Sequence, residues 1–123
     1  MLTVISPAKR LNEKPLPLPP GFAQTVPEFM ADAAKLAKLA RGLSADDLCG
    51  LMDISPKLGA LNRDRFASFD PKATGQGAAF LFDGDTYAGL EARTMEPDAL
   101  RWAQGHLRIL SGLYGLLRPL DGI

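Results

Sequence analysis

Three short apolar runs, at residues 2–5, 78–82 and 107–110, each break off at a polar or glycine-bearing turn, and stretches with helical spacing lie between them. Runs of this length read as buried strands, and strands alternating with helices favour an α/β layout over a helical bundle. The expected fold is a small sheet flanked by helices, of α/β class, with a mixed α+β arrangement as the alternative. A chain of 123 residues is long enough for one domain with its own apolar core and too short for two. Hydrophobic residues make up 46% and charged residues 23%, as in an ordinary folded globular chain.

The helical stretches carry their own start and stop signals. Pro27 suits a first helical turn, and Phe29, Met30, Ala33, Leu36, Ala37 and Ala40 recur at helical spacing before Gly42 stops the pattern. Ser44 offers a cap, with Asp47 three residues on as a weak form of the capping box, and opens a short helix to Leu51 or Met52. Ser55-Pro56 then opens a third helix, with Leu58, Leu61, Phe66 and Phe69 as its buried stripe, ended by Asp70-Pro71. The four prolines between Asn12 and Pro20 predict an extended surface connection, and Thr74-Gly75-Gln76-Gly77 a loop. Short helices are expected over 86–92 and from Pro97 to Gly105.

Charge narrows the partners. Lysine plus arginine equals aspartate plus glutamate at 14 each, so no molecule-wide field drives the chain onto nucleic acid or an acidic membrane. Any polyanion site has to be a local patch. Cys49 is the only cysteine, which forbids an intramolecular disulfide and fits a reducing cytoplasm. Neither a leader nor an apolar stretch of bilayer-spanning length is visible, so no membrane partner is expected. With His106, Cys49 supplies one imidazole and one thiol, fewer than transition-metal sites gather, so neither metal nor cofactor is expected. Buried filler is the expected role of Cys49, with a peroxide-sensing thiol as the alternative.

If the strands are parallel, their exits lie together, because open α/β sheets place ligands at the carboxyl ends of strands. That defines a candidate cleft from Ser6, Pro7 and Lys9 at the first exit, Gly84, Asp85 and Tyr87 at the second, and Ser111, Gly112, Tyr114 and Arg118 at the third. A small anion fits such a cleft. The catalytic candidates for an α/β enzyme acting on a phosphate-bearing or otherwise anionic substrate are Lys9, Asp83, Asp85 and Arg118. Each has a plainer reading: Asp83-Gly84 as turn chemistry, Lys9 as a surface lysine, and Arg108 and Arg118 as partners of carboxylates in a missing carboxyl-terminal half. Tyr87, Tyr114 and Trp102 are expected in the core with a satisfied polar tip, with base stacking as the alternative.

Those turns also carry a resemblance. Ile5-Ser6-Pro7-Ala8-Lys9, then Phe82-Asp83-Gly84-Asp85-Thr86-Tyr87-Ala88-Gly89-Leu90, then the stretch from Leu107 through Ser111-Gly112-Leu113-Tyr114-Gly115 to Arg118-Pro119-Leu120-Asp121 resemble, in order, segments of the YaaA family of peroxide stress proteins. The resemblance spans residues 1–123 but only the front of the family's length, which makes this a single incomplete, apparently truncated domain. If the reading frame continues past Ile123, strands that cover the core are missing, and poor solubility or a swapped dimer is expected. Arg10 stands where the family pattern calls for a small hydroxyl residue.

What the resemblance implies is a cytoplasmic oxidative stress protein, linked to limiting free iron, that binds double-stranded DNA non-specifically through a helix-hairpin-helix element. No enzymatic reaction comes with it. The local candidate is residues 44–69, with Asp53, Ile54, Ser55, Pro56 and Lys57 at the corner. Free amides at the start of the following helix can hold a phosphate oxygen while Lys57 adds a point charge. The usual motif flanks its apolar residue with glycines, whereas Asp53 and Ser55 flank Ile54, so an ordinary helix-turn-helix corner with a solvated Lys57 is the alternative.

Overall fold

The computed structural model describes every residue except Thr74, so the first position of the expected loop at 74–77 lies outside the described residues. The chain forms two compact units, Met1–Phe29 with Thr74–Ile123, and Met30–Ala73.

The first unit is built on two small sheets. Strand β1 (Thr3–Ile5) runs parallel to β4 (Leu107–Ser111), and β4 turns back into antiparallel β5 (Gly115–Leu117), giving the order β1-β4-β5. A separate antiparallel ribbon pairs β2 (Arg10–Leu11) with β3 (Phe82–Asp83). The expectation of parallel strands therefore holds for β1 and β4 and fails for the middle run.

That run is mostly not a strand. Residues Ala78–Leu81 form a single helical turn, α4, and only Phe82–Asp83 continue extended as β3. Alanine favours helix, and the turn's first two amides find acceptors far along the chain: Ala78 N–H donates to the Asp121 carbonyl and Ala79 N–H to the Pro119 carbonyl. All four residues of α4 are buried. A buried helical turn and a buried strand look alike in a short apolar run, and long-range acceptors decide between them here.

Helix α5 (Asp85–Leu90) follows, then a 3₁₀ turn at Ala92–Thr94 and α6 (Pro97–His106). Gly105 does not stop α6, which runs one residue further and passes directly into β4. The core joins Ile109 and Leu117 of the sheet to Leu100 of α6, Phe80, Phe82, Tyr87 and Leu120. The proline-rich connection is more than surface: it is irregular, as expected, but Leu16 and Leu18 lean on this core while Pro15 and Pro17 face solvent.

The second unit holds α1 (Met30–Ala40), α2 (Ala45–Met52) and α3 (Pro56–Ala67). Helix α1 begins three residues after Pro27, and Ala33 and Ala37 are its buried positions; Leu36, expected inside, is half open. At the end of α1, Arg41 donates from Nε to the Phe66 carbonyl at 2.8 Å and from Nη2 to the Phe69 carbonyl. A cation thus meets carbonyls where α3 finishes, as the helix dipole favours. Leu61 of the expected α3 stripe lies in the open, and Gly59 is the position of α3 that is fully buried. None of the helices among the described residues is long and apolar enough to cross a membrane.

Candidate functional site

The helical corner is built on local caps. Ser44 and Asp47 form the reciprocal box: Asp47 N–H donates to Ser44 Oγ at 3.1 Å, and Ser44 N–H donates to Asp47 Oδ2 at 3.0 Å. The bond from the Ser44 amide, and after it the one from its hydroxyl, hold the Asp47 carboxyl below its ordinary value. Asp53 closes α2 in the left-handed region at φ 51°, and its amide and that of Ile54 both turn back to the Cys49 carbonyl. Aspartate is among the few residues other than glycine that enter this region readily, which is how the corner forms without the usual glycine.

Ser55 caps α3 by accepting from Leu58 N–H, and Pro56 occupies the first turn, where it has no N–H to leave unpaired. One glycine here is required. A Cβ on Gly59 would stand 2.8 Å from the Ala45 carbonyl oxygen and closer still to Cys49 Sγ, so α2 and α3 meet at van der Waals contact through a residue that has no side chain. Cys49 is half-buried in that contact and donates to the Ser55 carbonyl at 3.4 Å, which is a packing role. Lys57 lies exposed in the first turn of α3, at the positive end of the helix.

The first two bends meet by a different route from the one expected. Because β1 and β4 are parallel with Ile5 opposite Ile109, the exits at Ser6 and Ser111 leave the same end of the sheet. The second bend reaches the first through the Tyr87 hydroxyl, which donates to the Ser6 carbonyl. Ala8 supports the same contact, since a Cβ on Gly84 would lie 3.3 Å from the Ala8 Cβ. Tyr87 is buried, and burial pushes its hydroxyl up to about 12. The third exit is a hairpin turn in which Ser111 Oγ accepts from Leu113 and Tyr114 N–H; Gly112 lies exposed at its tip and Tyr114 half-buried. At Gly115 the backbone has φ +73° and the Phe29 ring 3.2 Å from where a Cβ would be.

Asp83 and Arg118 are already engaged. Asp83 pairs with Arg10 at 2.9 Å across the β2–β3 ribbon, where the two residues stand opposite one another. Arg118 points inward: Nη2 and Nε donate to Asp121 Oδ1 at 2.8 and 3.1 Å, and Nη2 also donates to the Val26 carbonyl at 2.9 Å. Asp121 is fully buried and accepts further from Thr25 Oγ1 at 2.6 Å and from Arg118 N–H at 2.7 Å. Gln104 completes the knot by donating to Thr25 Oγ1 and accepting from Leu120 N–H. The Arg118-Pro119-Leu120-Asp121 segment is thus a structural clasp, in place of the anion clamp that its sequence suggests. Arg108 is likewise turned onto the carbonyls of Gln104 and Leu107. Ser6, Pro7, Lys9 and Asp85 lie exposed at the bends.

A shallow concavity of about 270 Å³ lies beside the second bend, lined among others by Asn12, Phe82, Asp83, Tyr87, Glu91 and Arg93. Of the expected cleft residues Tyr87 lines it, and Ser6, Pro7, Lys9, Gly84, Asp85, Ser111, Gly112, Tyr114 and Arg118 do not. The aromatic expectation splits: Tyr87 packs in the core, whereas Trp102 is 60% exposed and stacks on His106 with ring centroids 4.2 Å apart. Position on α6 decides this, because Trp102 follows the inward Leu100 by two residues and precedes the inward Ala103.

Comparison with known proteins follows the same segments. A family model described as peroxide stress protein YaaA matches residues 1–123. The chain belongs to this family. A UPF0246 protein of Cereibacter sphaeroides is 61% identical over 123 residues, covering 98% of this chain and 48% of that protein. Others are a UPF0246 protein of Jannaschia, 56% identical over 100% of this chain and 46% of its own, and one of Caulobacter, 53% identical over 100% and 48%. This YaaA-family chain spans about half the length of the curated relatives it matches.

Proposed function

We propose that this YaaA-family chain serves the peroxide stress response by holding double-stranded DNA through the α2–α3 corner, without reading sequence, and so takes part in limiting free iron. The observation that carries the reading is the placement of Lys57: exposed, in the first turn of a 12-residue helix, on a corner fixed by two serine caps and the Gly59 contact. Early amides of a helix have no acceptor within it, and in α3, where Pro56 has no N–H and Ser55 takes the Leu58 amide, the Lys57 amide is the one left for a phosphate oxygen. Contacts of this kind position DNA and release counterions, so affinity falls with salt and is indifferent to sequence.

The test is anisotropy titration of two unrelated duplexes over a salt series, on this chain and on the full-length Cereibacter sphaeroides relative. The expected result is equal affinity for both duplexes, with Lys57→Glu weakening binding about tenfold and flattening the salt slope by about one. Parent-like binding by the variant would exclude the corner as the DNA contact. For the iron part, the chelatable pool in peroxide-challenged cells should rise when the gene is deleted, and an unchanged pool overturns it.

A second reading, an α/β enzyme or binder handling a small anion at the strand exits, draws support from the meeting of the first two bends around Tyr87 and Ser6. Inorganic phosphate should then raise the unfolding midpoint and lose that effect in Asp85→Asn. No shift with phosphate in either form would discard it.

A further inference from the structure

The two faces of the β1-β4-β5 sheet differ, and the strand register says how. Ile5, Ile109 and Leu117 are aligned across the strands and point into the core. One residue on, Val4 lies opposite Arg108, and Leu110 opposite Leu116, on the other face. Leu2, Val4 and Leu110 are 53%, 47% and 51% exposed, and Leu116 is half-buried. Arg108 does not cap this patch with charge, because its guanidinium is bent onto the Gln104 and Leu107 carbonyls. Beside the patch, β1 is an edge strand whose outer backbone groups pair with no other strand among the described residues.

This arrangement is unfavourable as a water-facing surface. An open edge strand is a template for another chain, and contiguous exposed apolar side chains mark a contact surface. The relatives supply the length that such a cover needs: matches take in 98% to 100% of this chain but only 46% to 48% of the relatives from Cereibacter sphaeroides, Jannaschia and Caulobacter. We propose that the Leu2, Val4, Leu110 and Leu116 face, with the outer edge of β1, is the seat of the polypeptide that full-length family members carry beyond the matched half. A second copy of this chain is the weaker occupant. Its three-residue β1 offers few backbone bonds to a copy of itself, and two separate chains lose translational freedom that a covalently continuous half does not.

Hydrogen exchange on this chain and on the full-length Cereibacter sphaeroides relative tests the assignment. Amides of the segment matching residues 2–5 should exchange at least about tenfold more slowly in the relative, while in this chain they exchange at a rate independent of protein concentration. Equal rates in the two proteins overturn the proposal. So does protection in this chain that grows with concentration alongside a dimer in sedimentation velocity, since that makes the occupant a second copy. Leu110→Cys gives a readout that does not depend on strand pairing: its thiol should react freely here and about tenfold more slowly at the matched position of the relative. Equal reactivity overturns the face as firmly as equal exchange overturns the edge.

Discussion

The α2–α3 corner and the clasp around Asp121 are both expected, on sequence, to present a cation to an anionic partner, and they use their cations in opposite ways. At the corner every cap is made by a neighbour in sequence, Ser44 with Asp47 and Ser55 with Leu58, and Lys57 is left in solvent. At the clasp, Arg118 is committed to a fully buried carboxylate that also holds Thr25, a residue 96 positions away. A charged residue in a characteristic segment therefore says little until its partner is known. A buried carboxylate claims a nearby guanidinium ahead of any ligand, because leaving that carboxylate unpaired is the more costly alternative.

The contrast can be broken most forcefully at Asp121. Asp121→Ala strands Arg118, Thr25 and the Arg118 amide together, and the expected loss is about 3 kcal/mol in urea denaturation, toward the lower end for a broken buried pair because Arg118 keeps some solvent. A loss under about 1 kcal/mol would make the clasp an ordinary surface pair and end the comparison. Gly59→Ala is the matching test of the corner. The new Cβ drives against the Ala45 carbonyl, and the expected loss is about 1–2 kcal/mol after the helix-favouring effect of alanine is set against overpacking. A stabilised variant would show that the helices are not in close contact.

Tyr87 sharpens the comparison on the side of the strand exits. Tyr87→Phe removes the bond to the Ser6 carbonyl and is expected to lower stability by about 1 kcal/mol at neutral pH. Its hydroxyl has a folded value raised above the ordinary 10.0 to about 12, so the folded state holds this proton more tightly than the unfolded one. The associated stability is complete below pH 10 and is lost as pH rises toward 12. Unfolding midpoints across that window should therefore fall less steeply in Tyr87→Phe than in the parent, and parallel slopes would remove Tyr87 as the group responsible.

Much of the second unit is legible in the residues alone, because its determinants lie within a few positions of one another. Ser44, Asp47, Ser55 and Pro56 set the starts of α2 and α3 where their pattern puts them, since caps act over one helical turn. Gly59 is the position of the corner that the pattern does not single out. Its signal, a glycine inside a helical pattern, points to close backbone approach when it is not a stop. In the first unit, the apolar runs locate β1 and β4, but the run at 78–82 looks like a strand and folds mostly as a helical turn, and Arg118 looks outward and turns in.

What the residues determine by themselves is local and additive: caps, helix ends, strand-forming runs, charge balance and the order of the family's segments. Tertiary structure alone decides that Ala78–Leu81 coil into a helical turn, that Arg118 faces inward, and that Leu110 faces out. The physical reason is common to all three. Each depends on which parts of the chain close over one another: the Ala78 and Ala79 amides on the carbonyls of Asp121 and Pro119, the Arg118–Asp121 pair on the bonds that Thr25 and the Val26 carbonyl bring to it, and the side taken by Leu110 on which face of the sheet the core covers.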